Sequence, residues 1–156
     1  MSYDRIKAVN YAKTWALSRN PNYFDFSSLG GDCTNFCSQC LFAGSSVMNY
    51  TPVTGWYYNS INNRAPAWSG VEEFYNFLTK NQGVGPYGKT CNLSELEIGD
   101  FIELGNGYGF YHCLFVSGFS KSIPLVCSHS YDRLDAPLTS YYYERVRFIK
   151  IQGVNN

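Results

Sequence analysis

Apolar positions recur every three to four residues along the first half of the chain and every second residue along its later part. Over residues 3–18, Ile6, Val9, Tyr11, Trp15 and Ala16 gather near one helical face, and Asn20-Pro21-Asn22 closes that helix. After a turn-rich stretch over residues 23–31, Asp32 is a suitable N-cap and Gly44 a suitable terminator for a second helix. Its Cys33, Phe36, Cys37, Cys40 and Leu41 follow the i, i+3, i+4, i+7, i+8 spacing of a buried face. Residues 45–69 read as an aromatic loop, and a third, short helix turns Val71, Phe74, Phe77 and Leu78 inward. Residues 83–88 read as a break. Period two then predicts strands over residues 100–104, 110–116, 125–129 and 145–151. Helices followed by an antiparallel run define an α+β chain. Its 156 residues, without repeat or linker, suit a single domain over 1–156.

Charge removes one class of function. Twelve Lys and Arg balance twelve Asp and Glu with no basic run, so no nucleic-acid partner is expected. The residues Met1-Ser2-Tyr3-Asp4-Arg5 lack an apolar signal core, and no run reaches transmembrane length. No membrane partner is expected, and the chain reads either as cytoplasmic or as a domain trimmed from an exported protein. Aromatic residues make up 18% of the chain, fourteen of them Tyr, which is too many to bury completely.

The chemistry converges on one cysteine. Gly30-Gly31-Asp32-Cys33-Thr34-Asn35-Phe36 places Cys33 where a glycine turn becomes a helix. Free N–H groups and the helix dipole favour a thiolate there, and the same N–H groups suit an oxyanion. A thiol nucleophile needs a base. The chain has two histidines, His112 and His129, both in strand-like sequence. By alternation His112 shares a face with Leu114 and Val116, on a strand that could pack beside the Cys33 helix. His129 or Asp132 could supply the third group that orients His112. This reading predicts an acidic Cys33 thiol with the His112 imidazole within hydrogen-bond reach. A core role predicts an ordinary one, near about 8.5 or higher. Trp56, Tyr57, Tyr58 and Trp68 could wall a substrate or cap the core.

A metal reading fits less well. Cys33-x3-Cys37-x2-Cys40 has the spacing of an iron–sulfur signature, but such ligands wrap a loop around the cluster, whereas here they fall on one apolar helix face. No second tight pair completes a zinc site. All six cysteines are expected reduced, and no metal or cofactor is expected.

At these residues a resemblance emerges. Gly31-Asp32-Cys33-Thr34-Asn35-Phe36 resembles the Asp-Cys-Ser-Gly-Phe motif of NlpC-type cell-wall cysteine peptidases. The block from Gly30 to Gln39 is more closely similar to the bacterial putative amidase domain family. Supporting segments are Tyr3-Asp4-Arg5, Ala8-Val9-Asn10-Tyr11-Ala12, Asn20-Pro21-Asn22-Tyr23, Trp56-Tyr57-Tyr58, Trp68, Gly99-Asp100 and Ser128-His129-Ser130-Tyr131-Asp132. The resemblance implies a papain-like (NlpC-type) fold with the nucleophile helix on an antiparallel sheet. It implies Cys33 as nucleophile, His112 as base and acid, and His129 as third member. Asp32, Thr34 and Tyr23 match positions that hold the substrate near its free amine. Asn35 departs from the glycine of the peptidase motif, so that specificity is not inherited. The implied activity is amide hydrolysis, in peptidoglycan or a related peptide. The alternative is an inactive papain-like domain that binds a glycan or peptide through its aromatics.

Overall fold

The computed structural model describes residues 2–156. The elements are α1 (Arg5–Trp15), α2 (Cys33–Ser45), β1 (Tyr58–Ser60), β2 (Asn63–Arg64), α3 (Pro66–Ser69), α4 (Val71–Lys80), β3 (Gly85–Cys91), β4 (Phe101–Asn106), β5 (Gly109–Ser120), β6 (Ile123–Ser128), β7 (Arg133–Pro137) and β8 (Arg145–Asn155). Six strands form one antiparallel sheet in the order β3-β8-β4-β5-β6-β7, while β1 and β2 make a separate small hairpin. This is an α+β protein with an antiparallel sheet.

Strand alternation divides the core in two. Phe101, Cys113, Phe115, Cys127, Ile149 and Ile151 face the helices, where Phe36, Cys37, Cys40, Leu41, Phe74 and both Trp56 and Trp68 pack. Ile102, Leu104, Leu114, Val116 and Val126 face the other way, covered by Leu96, Leu138, Tyr141 and Tyr143. Helix α2 is enclosed on nearly every side, so Asn35, Ser38 and Gln39 are buried along with its apolar stripe. The periodicity of α1 misplaces Ile6, which is 61% exposed. The buried face is Ala8, Val9, Ala12 and Ala16, small residues that let α1 lie close on α2. Asp100 clips α1 to the sheet. Its carboxylate accepts from Arg5 Nη1 at 2.8 Å, from the Ile151 N–H at 2.9 Å and from the Glu97 N–H at 2.8 Å.

Two strands were not legible in the pattern. Gly85–Cys91 lies within and beyond the predicted break, and Arg133–Pro137 has no predicted counterpart. Both are edge strands, and each carries a proline, whose missing N–H an edge tolerates. The predicted aromatic loop holds α3 and the β1–β2 hairpin.

One irregularity places the site. Between β4 and β5, Leu104 pairs with His112 and Gly105 with Phe110, so Tyr111 is an extra, unpaired residue. The strands close tightly around this bulge. A Cβ on Gly105 would come within 2.5 Å of the Gly109 carbonyl oxygen.

Candidate active site

A cleft of about 520 Å³ opens where the start of α2 meets the start of β5. Cys33 and His112 both line it, with Gly30, Gly31, Asp32, Leu104 and Tyr111. Ser130, Tyr131, Arg133, Ser140, Tyr141 and Tyr142 complete the wall. Cys33 is half-buried in the first turn of α2, and its sulfur lies 3.8 Å from Thr34 Oγ1. The backbone of Cys113, next in sequence to His112, acts to lower the Cys33 thiol pKa. The remaining α2 cysteines, Cys37 and Cys40, are buried free thiols, and burial pushes Cys37 up to about 12.

The resting state differs from the sequence expectation: no hydrogen bond joins the Cys33 sulfur to His112 among the described residues, and the protonation differs as well. Burial pushes the Cys33 thiol above its ordinary value, outweighing the Cys113 and Thr34 groups that favour the thiolate. Burial also pushes the His112 imidazole down, to about 4. At neutral pH the cleft therefore holds a neutral thiol and a neutral imidazole, because desolvation disfavours both charged forms. The His112 ring sits beside Tyr141, with ring centres 6.0 Å apart, and the Tyr141 hydroxyl pairs with Ser128 Oγ at 2.7 Å.

Behind the cleft runs a buried polar chain. Asp32 occupies the N-cap position of α2 but its side chain makes no capping bond. It turns inward instead. Its Oδ1 accepts from the Phe26 N–H at 2.8 Å and from Asn35 Nδ2 at 2.9 Å, and its Oδ2 meets His129 Nδ1 at 2.6 Å. Trp68 Nε1 donates to Asn35 Oδ1, Ser38 Oγ donates to the Trp68 carbonyl, and Trp56 Nε1 donates to Ser38 Oγ, at 2.8–2.9 Å. Asn35 thus joins the residue preceding the cysteine to two core tryptophans.

The other predicted site residues lie away from the cleft walls. His129 is buried, its ring stacked on Phe36 at 4.2 Å, with Nε2 facing the Trp15 carbonyl at 2.9 Å and Arg19 Nη1 at 3.2 Å. Both its nitrogens are engaged, so it positions Asp32 and leaves His112 to other neighbours. Asp132 is held by Arg19 through two bonds of 2.8 and 3.0 Å. Thr34 is buried. Trp56 is fully buried and indole-bonded, which corrects its expected place on a substrate wall; Trp68 is core as well. Tyr23 stacks on Trp68, and Tyr57 packs near Tyr50, outside the cleft lining. Sequence reasoning passed over Tyr111, Arg133 and Tyr141. Tyr111 adjoins His112, but nothing local marks Arg133 or Tyr141.

A buried ion pair flanks this region. Glu103, opposite Cys113 in register, has Oε1 at 2.9 and 2.6 Å from Arg147 Nε and Nη2. Its Oε2 is buried without a partner among the described residues, and burial pushes the carboxyl up to about 8.

Fold and cleft together define an α+β protein with a thiol and an imidazole in one open groove. Comparison with known proteins names the group. The family described as "Putative amidase domain" matches residues 2–151, and the chain belongs to that family. It is similar to the uncharacterized protein YhbB of Bacillus subtilis (strain 168), 31% identical over 135 residues, covering 83% of this chain and 42% of that protein. It is also similar to the uncharacterized protein YjcM of the same strain, 26% identical over 144 residues, covering 86% of this chain and 32% of the relative. The chain thus spans less than half the length of these curated relatives. No solved structure matches it.

Proposed function

We propose that this chain is a thiol-dependent amidase with a papain-like arrangement, in which Cys33 attacks an amide carbonyl and His112 carries the proton. The observation that carries the reading is the shared cleft: the first-turn cysteine of α2 and the bulge-positioned histidine of β5 line one groove. The family description supplies the reaction class, amide hydrolysis.

The chemistry follows from the protonation states. With both groups neutral at rest, His112 removes the thiol proton as the sulfur–carbon bond forms, so general-base catalysis replaces a preformed ion pair. The Asp32 side chain leaves the first-turn amides of α2 uncapped, and these can receive the developing oxyanion. His112 then passes its proton to the departing amine as the carbon–nitrogen bond breaks. Water adds to the thioester, His112 takes its proton, and that proton returns to the Cys33 sulfur as a carboxylic acid leaves. His129 supports this from behind by fixing Asp32 and hence the residue preceding the nucleophile.

Peptides related to peptidoglycan are the substrates to try first, on the strength of the motif around Cys33. Incubation with a panel of such peptide amides, followed by intact-mass analysis, should trap a Cys33 acyl adduct in the wild type. Cys33→Ala should form none, and His112→Ala should form it far more slowly. Amide hydrolysis that persists in Cys33→Ala would sink the reading. The raised Cys33 pKa favours a second one, an inactive cleft that binds peptides or glycans against Tyr111, Tyr131 and Tyr142. Peptide binding without any adduct would select it.

A further inference from the structure

The charges around the cleft are unevenly compensated. Asp32 is the carboxylate on its wall, and both oxygens are already engaged, by the Phe26 N–H, Asn35 and His129, with Arg19 Nε at 3.6 Å. Its side chain is buried and bonded through both oxygens, so it is not presented to a substrate ammonium. His112 is neutral at pH 7 because burial pushes it down to about 4. Arg133 is the cation on the wall, and no carboxylate lies within 4.0 Å of it among the described residues.

Arg133 is nonetheless held in place. Its Nη2 donates to Ser140 Oγ at 2.7 Å, and Ser140 Oγ donates in turn to the Pro137 carbonyl at 2.7 Å. The guanidinium lies over the Tyr141 ring at 4.9 Å, the same ring that flanks His112. A guanidinium has five N–H donors in a planar fork. Contacts to Ser140 and a ring face leave the rest of that fork to meet a planar anion side-on. Tyr131 and Tyr142, both largely exposed, stand on the same rim.

We infer that Arg133 is the specificity-determining residue of the cleft and that it binds a carboxylate carried close to the scissile amide. This rests on the amidase reading for the bond that is cut, but the recognition itself does not depend on turnover. It points to acidic peptides and away from peptides selected by a free amine. The carboxylate can be a chain-terminal one or an Asp or Glu side chain, and matched peptides separate the two.

The test is calorimetric titration of Cys33→Ala protein with short peptides in four forms: free C-terminal acid or carboxamide, each with an internal Glu or Gln. The expected result is roughly tenfold to a hundredfold tighter binding of whichever form carries the recognised carboxylate, the range of a charged hydrogen-bonded contact. Adding Arg133→Gln, which keeps a donor for Ser140 but no charge, should abolish that preference and leave carboxylate-free peptides unaffected. Arg133→Lys should restore part of it. Equal binding of all four forms, no measurable binding of any, or a preference that survives Arg133→Gln overturns the inference. A carboxylate preference that depends on Arg133, with wild-type protein that never turns over, removes the amidase reading and leaves this one standing.

Discussion

His129 Nδ1 lies 2.6 Å from Asp32 Oδ2, both residues are buried, and Asp32 stands one position before the candidate nucleophile. The pair joins the end of β6 to the start of α2 across 97 residues of sequence. Removing one partner strands the other. His129→Ala should cost roughly 3 kcal/mol, within the range for breaking a buried pair, read as a fall in the urea midpoint. A double-mutant cycle with Asp32→Asn should show strong coupling. Additive losses would mean that the two residues act separately.

Asn35 has a second structural duty. It donates to Asp32 and to the Phe24 carbonyl and accepts from the Trp68 indole. Asn35→Ala should destabilise the fold by roughly 2–3 kcal/mol, because a buried indole N–H and a carboxylate each lose a partner. Thermal melting followed by tryptophan emission tests this, and an unchanged midpoint would contradict the bonding scheme.

His112 should titrate near pH 4 in the folded protein. Its folded pKa lies below the unfolded value of about 6.5. The contribution is therefore complete above that value and is lost as pH falls towards 4. His112→Asn should remove this acid sensitivity. Imidazole NMR shifts give the pKa directly, and a midpoint above 6 would refute burial as the controlling influence.

Glu103 works in the opposite sense. Its folded pKa, about 8, lies above the ordinary carboxyl value because burial outweighs Arg147. Its contribution is complete below about 4.3 and fades as pH rises through 8. Between about pH 5 and 6.5 this loss offsets the gain from His112, so Glu103→Gln should flatten the decline in stability that remains between about pH 6.5 and 8, measured as denaturant midpoint against pH. A wild-type profile that rises over that last interval would contradict the assignment.

The helical spacing of Cys33 to Leu41 and the alternation around His112 carried the central strand and helix, because each is fixed by local periodicity. The edges of the sheet were less visible. Gly85, Pro86 and Gly88 look like a chain break, yet an edge strand tolerates a missing donor, and at Tyr87–Gly88 the pairing with β8 shifts register. Trp56 reads as a surface aromatic until Ser38, eighteen residues away, satisfies its indole. The roles of His129 and Arg133 depend on partners distant in sequence or on a cleft that exists only after folding. Ile6 shows the reverse failure: apolar, in phase with its neighbours, and still exposed.

The chain of bonds from Trp56 through Ser38, Trp68, Asn35 and Asp32 to His129 has a consequence for how this cleft can change. The residues flanking Cys33 are shared property of groove and interior, so new specificity is hard to reach through Asp32 or Asn35 one substitution at a time. The freely variable positions are the exposed lining residues Tyr131 and Tyr142, for which no such chain to the core is seen among the described residues. Diversification within this fold should therefore run along the exposed tyrosines of the cleft lining, while the segment bearing the nucleophile stays fixed.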